Sequence, residues 1–266
     1  MADLGALTPV AALATLYALA LTRRSRPIGR ARVVAGASGV AALAFALGPP
    51  LDTKAASDLA AHMTQHVLLL SIAPPLLIMG LVPSVLGAAI PDATRARWRD
   101  AIAPIVATGR RVPVFAAITI AVGLQTTALG VWHVPAIYDA AATHLALHAA
   151  EHLSFLLTGL AFWWIVAGTG RRAGSAASVI TIFIASLPGT LLGALMTLST
   201  SPWYPHYEHA SFAAALQDQQ LAGVVMWAVG GMAYVAAGAA LFAAMLRDLE
   251  RASPSRVPAT KLEPAP

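Results

Sequence analysis

Apolar runs of about 18 to 25 residues recur along this chain, and each is long enough to cross a hydrocarbon layer of roughly 30 Å as a helix. They lie at roughly 4–21, 33–51, 62–82, 112–131, 145–168, 178–198 and 219–245. Lipid offers no partner to a backbone N–H or C=O, so helices satisfy these runs where single strands would not. The expected fold is therefore all-α: a polytopic transmembrane helical bundle of about seven spans. Composition agrees. Only 11% of the 266 residues are charged, against about 25% in soluble domains. One bundle over residues 1–250 followed by a disordered cytoplasmic tail at 251–266, rich in Pro and Ser, is the simplest organisation.

Basic residues set the expected topology. The first loop carries Arg23, Arg24, Arg26, Arg30 and Arg32, the third Arg95, Arg97, Arg99, Arg110 and Arg111, the fifth Arg171 and Arg172, and the tail Arg247, Arg251, Arg256 and Lys261. The alternate segments carry only Lys54, so all but one of the 17 basic residues fall on one side. By the positive-inside rule the N-terminus lies outside and the C-terminus in the cytoplasm. The net charge of +5 is thereby explained without nucleic acid, because the arginines sit in short loops between spans and form no binding patch. The first run lacks a basic leader, which argues against a cleavable signal peptide. With no Cys, disulfides and thiolate metal sites are excluded.

Smaller features fit a bundle. Trp132, Trp203 and Tyr204 are expected at the outer interface and Trp163 and Trp164 at the inner one. Pro91 to Ala103, with Trp98 among three arginines, reads as a short interfacial helix. Gly189 and Gly193 form a small-xxx-small pair that lets helices approach.

The chemistry concentrates in the histidines. His62 and His66 begin the third span, His133 follows the fourth, His144, His148 and His152 enter the fifth, and His206 and His209 fall in the last outer loop. On the expected topology all eight gather at one membrane face. His62 and His66 are one turn apart on one helix face, about 6 Å in rise, so they can share an ion. His144, His148 and His152 span about 12 Å, too far for one ion held by bonds of about 2 Å. That triplet supplies a pair, two ions in series, or a relay.

The candidate metal ligands are thus His62, His66, His133, His144, His148, His152 and Met226. Met63, Glu151, Asp218 and Gln219 are candidate supporting groups around them. Glu151 lies inside a span, where a carboxylate is costly unless paired. His with Met and no Cys suits copper better than calcium or magnesium, and His with carboxylate alone suits zinc equally well. Each has a plainer reading: a histidine bonding a neighbouring helix, a methionine filling the core, Gln219 as an interfacial amide, His206 and His209 as loop residues. Pro74 and Pro75 remove helical partners from the carbonyls near Leu70 and Ser71, which makes either a pocket wall beneath the histidines or an ordinary kink.

Several separated blocks resemble one family. They are His62-Met63-x-Gln65-His66, Ala73-Pro74-Pro75-Leu76-Leu77, Trp132-His133-x-Pro135-x-x-Tyr138-Asp139-Ala140, His148-x-x-Glu151-His152-x-x-Phe155 with Gly159 and Phe162-Trp163-Trp164, then Pro202-Trp203-Tyr204 and Asp218-Gln219-x-x-Ala222-Gly223-x-x-Met226-Trp227. In these blocks the chain resembles the multi-span CtaG family of cytochrome c oxidase (caa-type) assembly factors. The resemblance implies a non-enzymatic, multi-pass plasma-membrane protein that helps assemble a haem–copper oxidase. Its implied partners are cytochrome c oxidase subunits, an extracytoplasmic copper chaperone and membrane lipids. Copper is the expected metal, caught by His62/His66 with His148/His152 and completed by His133 and Met226.

Other functions compete. An intramembrane zinc-dependent hydrolase would use Glu151 or Asp218 as general base. A b-type haem membrane cytochrome would ligate haem b through two histidines such as His66 and His152. A copper permease would need polar groups through the whole membrane, and the inner half of every expected span lacks His and acidic residues.

Overall fold

A computed structural model of the chain describes residues 4–23, 27–80, 82–173, 175–207 and 210–252. It is built from helices, with no strand among the described residues. In order they are α1 (Leu4–Thr22), α2 (Arg30–Leu47), α3 (Leu51–Ala55), α4 (Leu59–Val67), a π turn (Leu68–Ile72), α5 (Ala73–Met79), α6 (Val82–Ala89), α7 (Asp92–Arg111), α8 (Val114–Trp132), α9 (Pro135–Thr143), α10 (Leu145–Ala173), α11 (Ser175–Leu198), α12 (Phe212–Val224), a second π turn (Val225–Gly230) and α13 (Gly231–Ala252). Among the described residues six stretches are long and apolar enough to cross a membrane, α4 with α5 and α12 with α13 each counting as one, and α1 contributes a shorter apolar stretch, Thr8–Thr22. The disordered tail expected from Arg251 onward lies almost wholly outside the described residues.

Large apolar side chains point outward along the spans: on α11, Ile180, Phe183, Ile184, Leu187, Leu191 and Leu195 are all exposed. Polar groups are buried instead, among them His62, Gln65, His66, Gln125, Glu151 and Gln219. That inversion suits a bundle whose solvent is hydrocarbon.

The third and fifth spans run parallel. Glu151 meets His62 and His66, and eight residues further on Gly159 meets Leu70 and Pro74. A Cβ at Gly159 would stand 2.7 Å from the Leu70 carbonyl oxygen and 2.9 Å from Pro74 Cγ, so only glycine lets α10 lie this close to the π turn. The π turn sits immediately before Pro74 and Pro75. These prolines cannot donate to the carbonyls of Leu70 and Ser71, and the wider turn accommodates the loss.

α11 and α12 run antiparallel, since Gly193 meets Gly223 and Trp227 while Thr197 meets Gln220 and Gly223. A Cβ on Gly193 would come within 2.7 Å of the Gly223 carbonyl. The close approach therefore pairs Gly193 with Gly223. Gly189, its expected partner in the motif, makes only ordinary contact with Leu129.

Other details depart from expectation. Trp163 faces inward, buried against Phe162 and Tyr234 in a core cluster, whereas Trp164 is exposed. Trp132 is half-buried and donates to Ser154 Oγ at 2.8 Å. The helix expected at Pro91–Ala103 extends to Arg111, through Pro104. The last span is 40 residues long, Phe212–Arg251, about twice the roughly 20 a bilayer requires.

Candidate metal centre

The first turn of α4 fixes the site's position. A helix N-terminus leaves four N–H groups without intrahelical partners. Asp58 accepts from Ala61 N at 2.7 Å, and Asp218 on α12 accepts from Leu59 N at 2.8 Å and Ala60 N at 3.0 Å. Asp218 therefore pins α4 to α12, and its carboxylate is spent on backbone donors. The 3.6-residue repeat then turns His62 and His66 toward α10, which presents His148, Glu151 and His152.

Imidazoles crowd together there. Ring centroids are 4.5 Å apart for His62–His66, 5.2 Å for His62–His148, 5.6 Å for His66–His152 and 4.2 Å for His148–His152. Among them Glu151 is wholly buried. Its two oxygens lie 3.8 Å from His62 Nε2 and 3.4 Å from His66 Nε2, too long for good hydrogen bonds. Donors at about 2.0 Å around a tetrahedral ion sit roughly 3.3 Å from one another. One donor atom from each of His62, His66, Glu151 and His152 falls within 4.8 Å of all the others, so a modest contraction would close the set on an ion.

Hydrogen bonding argues the same way. Among the described residues, seven buried atoms here lack a protein hydrogen-bond partner: His62 Nε2, both ring nitrogens of His66, His148 Nε2, both oxygens of Glu151, and His152 Nε2. Buried polar atoms are normally paired, because an unpaired one costs about 1–3 kcal/mol. Four of them, one each from His62, His66, Glu151 and His152, match what a single tetrahedral ion would satisfy.

One candidate ligand is oriented from behind. His62 Nδ1 lies 2.8 Å from Tyr207 Oη, which is 2.6 Å from Tyr138 Oη and 3.4 Å from the Ala55 carbonyl. If Tyr207 donates to Ala55, it can accept from His62 and Tyr138 at once, leaving His62 Nε2 as a bare lone pair facing Glu151. Metal-bound histidines are commonly steered this way. Burial pushes the hydroxyls of Tyr138, Tyr204 and Tyr207 up, so all three remain protonated donors. The sequence left Tyr207 unremarked, and a loop tyrosine 145 residues from His62 carries no local signal.

The remaining candidates divide. His133 lies beside the cluster, its ring centroid 5.5 Å from that of His66. Burial lowers it to about 4, against the opposing pull of its bond to the Leu129 carbonyl, so it is neutral. Met63 is wholly buried and its sulfur touches His133. Glu151, expected as a supporting group, stands with the donor atoms themselves.

His144 is not brought in. It ends α9, is exposed, and bonds Thr143 and the Ala140 carbonyl, because the chain turns there before α10 begins. Gln219 braces the loop by accepting from Trp203 N and donating to Ser201 O. Met226 is buried and borders a small cavity of about 40 Å³ with His66, Ser71, Gln125 and Tyr234, so the proline-linked turn does form a pocket wall. His209 lies outside the described residues.

A larger cavity of about 690 Å³ reaches the cluster, lined by His62, His148, His152, His206 and Tyr207 and by leucines of α1, α2 and α10. On the far side of His66, beyond the small cavity, Phe162, Trp163, Val166, Ile182 and Ala185 pack as an apolar layer.

The family signature described as cytochrome c oxidase caa3 assembly factor (Caa3_CtaG) matches residues 15–248. No individual curated protein and no solved structure matches the chain significantly. The match takes in every helix of the bundle, at least in part, and every residue of the buried cluster, and on it the chain belongs to the Caa3_CtaG family of cytochrome c oxidase caa3 assembly factors.

Proposed function

We propose that this protein assists oxidase assembly by binding copper at the His62/His66/Glu151/His152 centre and releasing it to an oxidase subunit at the outer face of the plasma membrane. The observation that carries this reading is the convergence of four buried side chains, His62, His66, Glu151 and His152, each with an atom that lacks a protein hydrogen-bond partner. His148 and His206 line the approach, and an extracytoplasmic copper chaperone would load the site from that side. Exchangeable imidazole ligands suit a protein that must give its ion away. The apolar layer beyond His66 favours delivery from one face over passage across the membrane.

The hydrolase reading draws less support. Glu151 stands among the donors and Asp218 caps α4, so neither is held ready as a base. Haem draws none, because the space between His66 and His152 is shared with His62 and Glu151.

The test uses full-length protein purified from copper-grown cells, beside a His66→Ala/His152→Ala variant. About one copper per chain is expected, and about none in the variant. In cells, the variant should accumulate normally while oxidase copper content falls. Unchanged oxidase copper would sink the delivery reading.

The same proposal places the N-terminus outside, on the strength of the arginine distribution. The chain has no cysteine, so a single Lys54→Cys substitution, at a well-exposed position between α2 and α4, reports sidedness cleanly. Labelling of intact cells by a membrane-impermeant maleimide is expected; protection until lysis would invert the topology.

A further inference from the structure

His133 and Met63 meet in a way that hydrogen bonding does not explain. His133 Nδ1 is 2.8 Å from the Leu129 carbonyl. A carbonyl only accepts, so Nδ1 carries the proton, and a neutral imidazole has only one. Nε2 is then a bare lone pair, and it lies 3.2 Å from Met63 Sδ. A thioether has no proton to give. Two electron-pair donors therefore face each other at the end of a fixed ring, both residues buried.

An ion could occupy that gap. With bonds of about 2.0 Å to nitrogen and 2.3 Å to sulfur, a 3.2 Å separation corresponds to an angle near 95° at the metal. That is far from linear, so two ligands would not suffice and a third is needed. His66 is three residues beyond Met63 on the same helix, its ring is 5.5 Å from that of His133, and its Nδ1 has no protein partner.

We infer that Met63 and His133, with His66 as a shared third ligand, form a second metal position selective for a soft monovalent ion, copper(I) or its analogue silver(I). This rests on the copper reading above and adds a site to it. The two positions differ in kind. The carboxylate and three imidazoles suit a divalent ion, whereas a neutral thioether and two imidazoles suit a soft univalent one. His66 offers one ring nitrogen to each position, Nε2 toward Glu151 and Nδ1 toward the second position, so copper(I) passes between them by stepwise ligand exchange, the ring proton moving to the nitrogen the ion leaves and no electron being transferred.

The probes are Ag⁺, which is soft and inert to oxidation here, and Zn²⁺, which avoids thioethers. Both are titrated separately into the full-length protein in detergent. Met63→Leu conserves volume and should fold normally. It is expected to weaken Ag⁺ binding at least about tenfold while leaving Zn²⁺ binding within about twofold. X-ray absorption of the silver-loaded protein should show one sulfur neighbour, lost in Met63→Leu and kept in Met226→Leu. Retained Zn²⁺ binding certifies the fold of each variant. If Zn²⁺ binds but Met63→Leu leaves Ag⁺ affinity and the sulfur neighbour unchanged, the second position is overturned and the His/Glu centre stands. If wild-type protein binds neither ion, the copper reading fails first and takes this one with it.

Discussion

Glu151→Gln is expected to weaken divalent-ion binding by roughly two to three and a half orders of magnitude, about 3–5 kcal/mol. The substitution keeps the side chain's shape and one carbonyl oxygen but removes the only negative charge among the four donors. In a site this buried, water does not screen the loss. Ion-free Glu151→Gln should unfold no earlier than wild type, because an amide is easier to bury than a carboxylate. The two readouts move differently, and that separates a ligand from a structural residue. Isothermal titration with Cu²⁺ or Zn²⁺, beside thermal unfolding of the ion-free protein, measures both. Equal affinity in the variant would remove Glu151 from the site; an early unfolding transition would make it structural.

Gly159→Val should damage the same site without touching a ligand. The new Cβ would press on the Leu70 carbonyl and on Pro74, both held by a proline-constrained backbone with no rotamer through which to yield. Overpacking of this kind costs about 1–3 kcal/mol. α10 must shift away from the π turn, and Glu151 and His152 lie on the same rigid helix about 12 Å above. We expect a lower unfolding temperature and metal affinity reduced at least about tenfold, with Gly159→Ala intermediate. Gly123→Ala is the control, since its Cβ would meet nothing within 4 Å. Wild-type affinity in Gly159→Val would show that α10 is not what holds the donors in register.

Much of this architecture was legible because it is local. Span length and apolarity dictate helices in lipid through the backbone alone, and the structure has them near the expected places. The i, i+4 spacing of His62/His66 and His148/His152 likewise forces each pair onto one face. That these pairs belong together was readable from their positions at the starts of two spans running in the same direction.

What the spacing left open was the partition among candidates. His144 continues the repeat of His148 and His152, yet it falls before α10 begins and turns away. Asp218 and Gln219 look like site residues in one dimension, and in three they fasten a helix end and a loop. Glu151 passes from supporting group to donor because α4 and α10 run parallel with an offset that puts it between two imidazoles.

The chain's sequence by itself therefore determined the fold class, the helical spans and the kinds of ligand atom available, since these follow from burial, periodicity and residue chemistry within single segments. Only the tertiary structure decided which candidate donors lie together, that Tyr207 bonds one of them, and that His133 faces a methionine sulfur. Those relations depend on helix register and approach distance, set by contacts such as Gly159 on Leu70 and Asp218 on α4 between residues far apart in the chain.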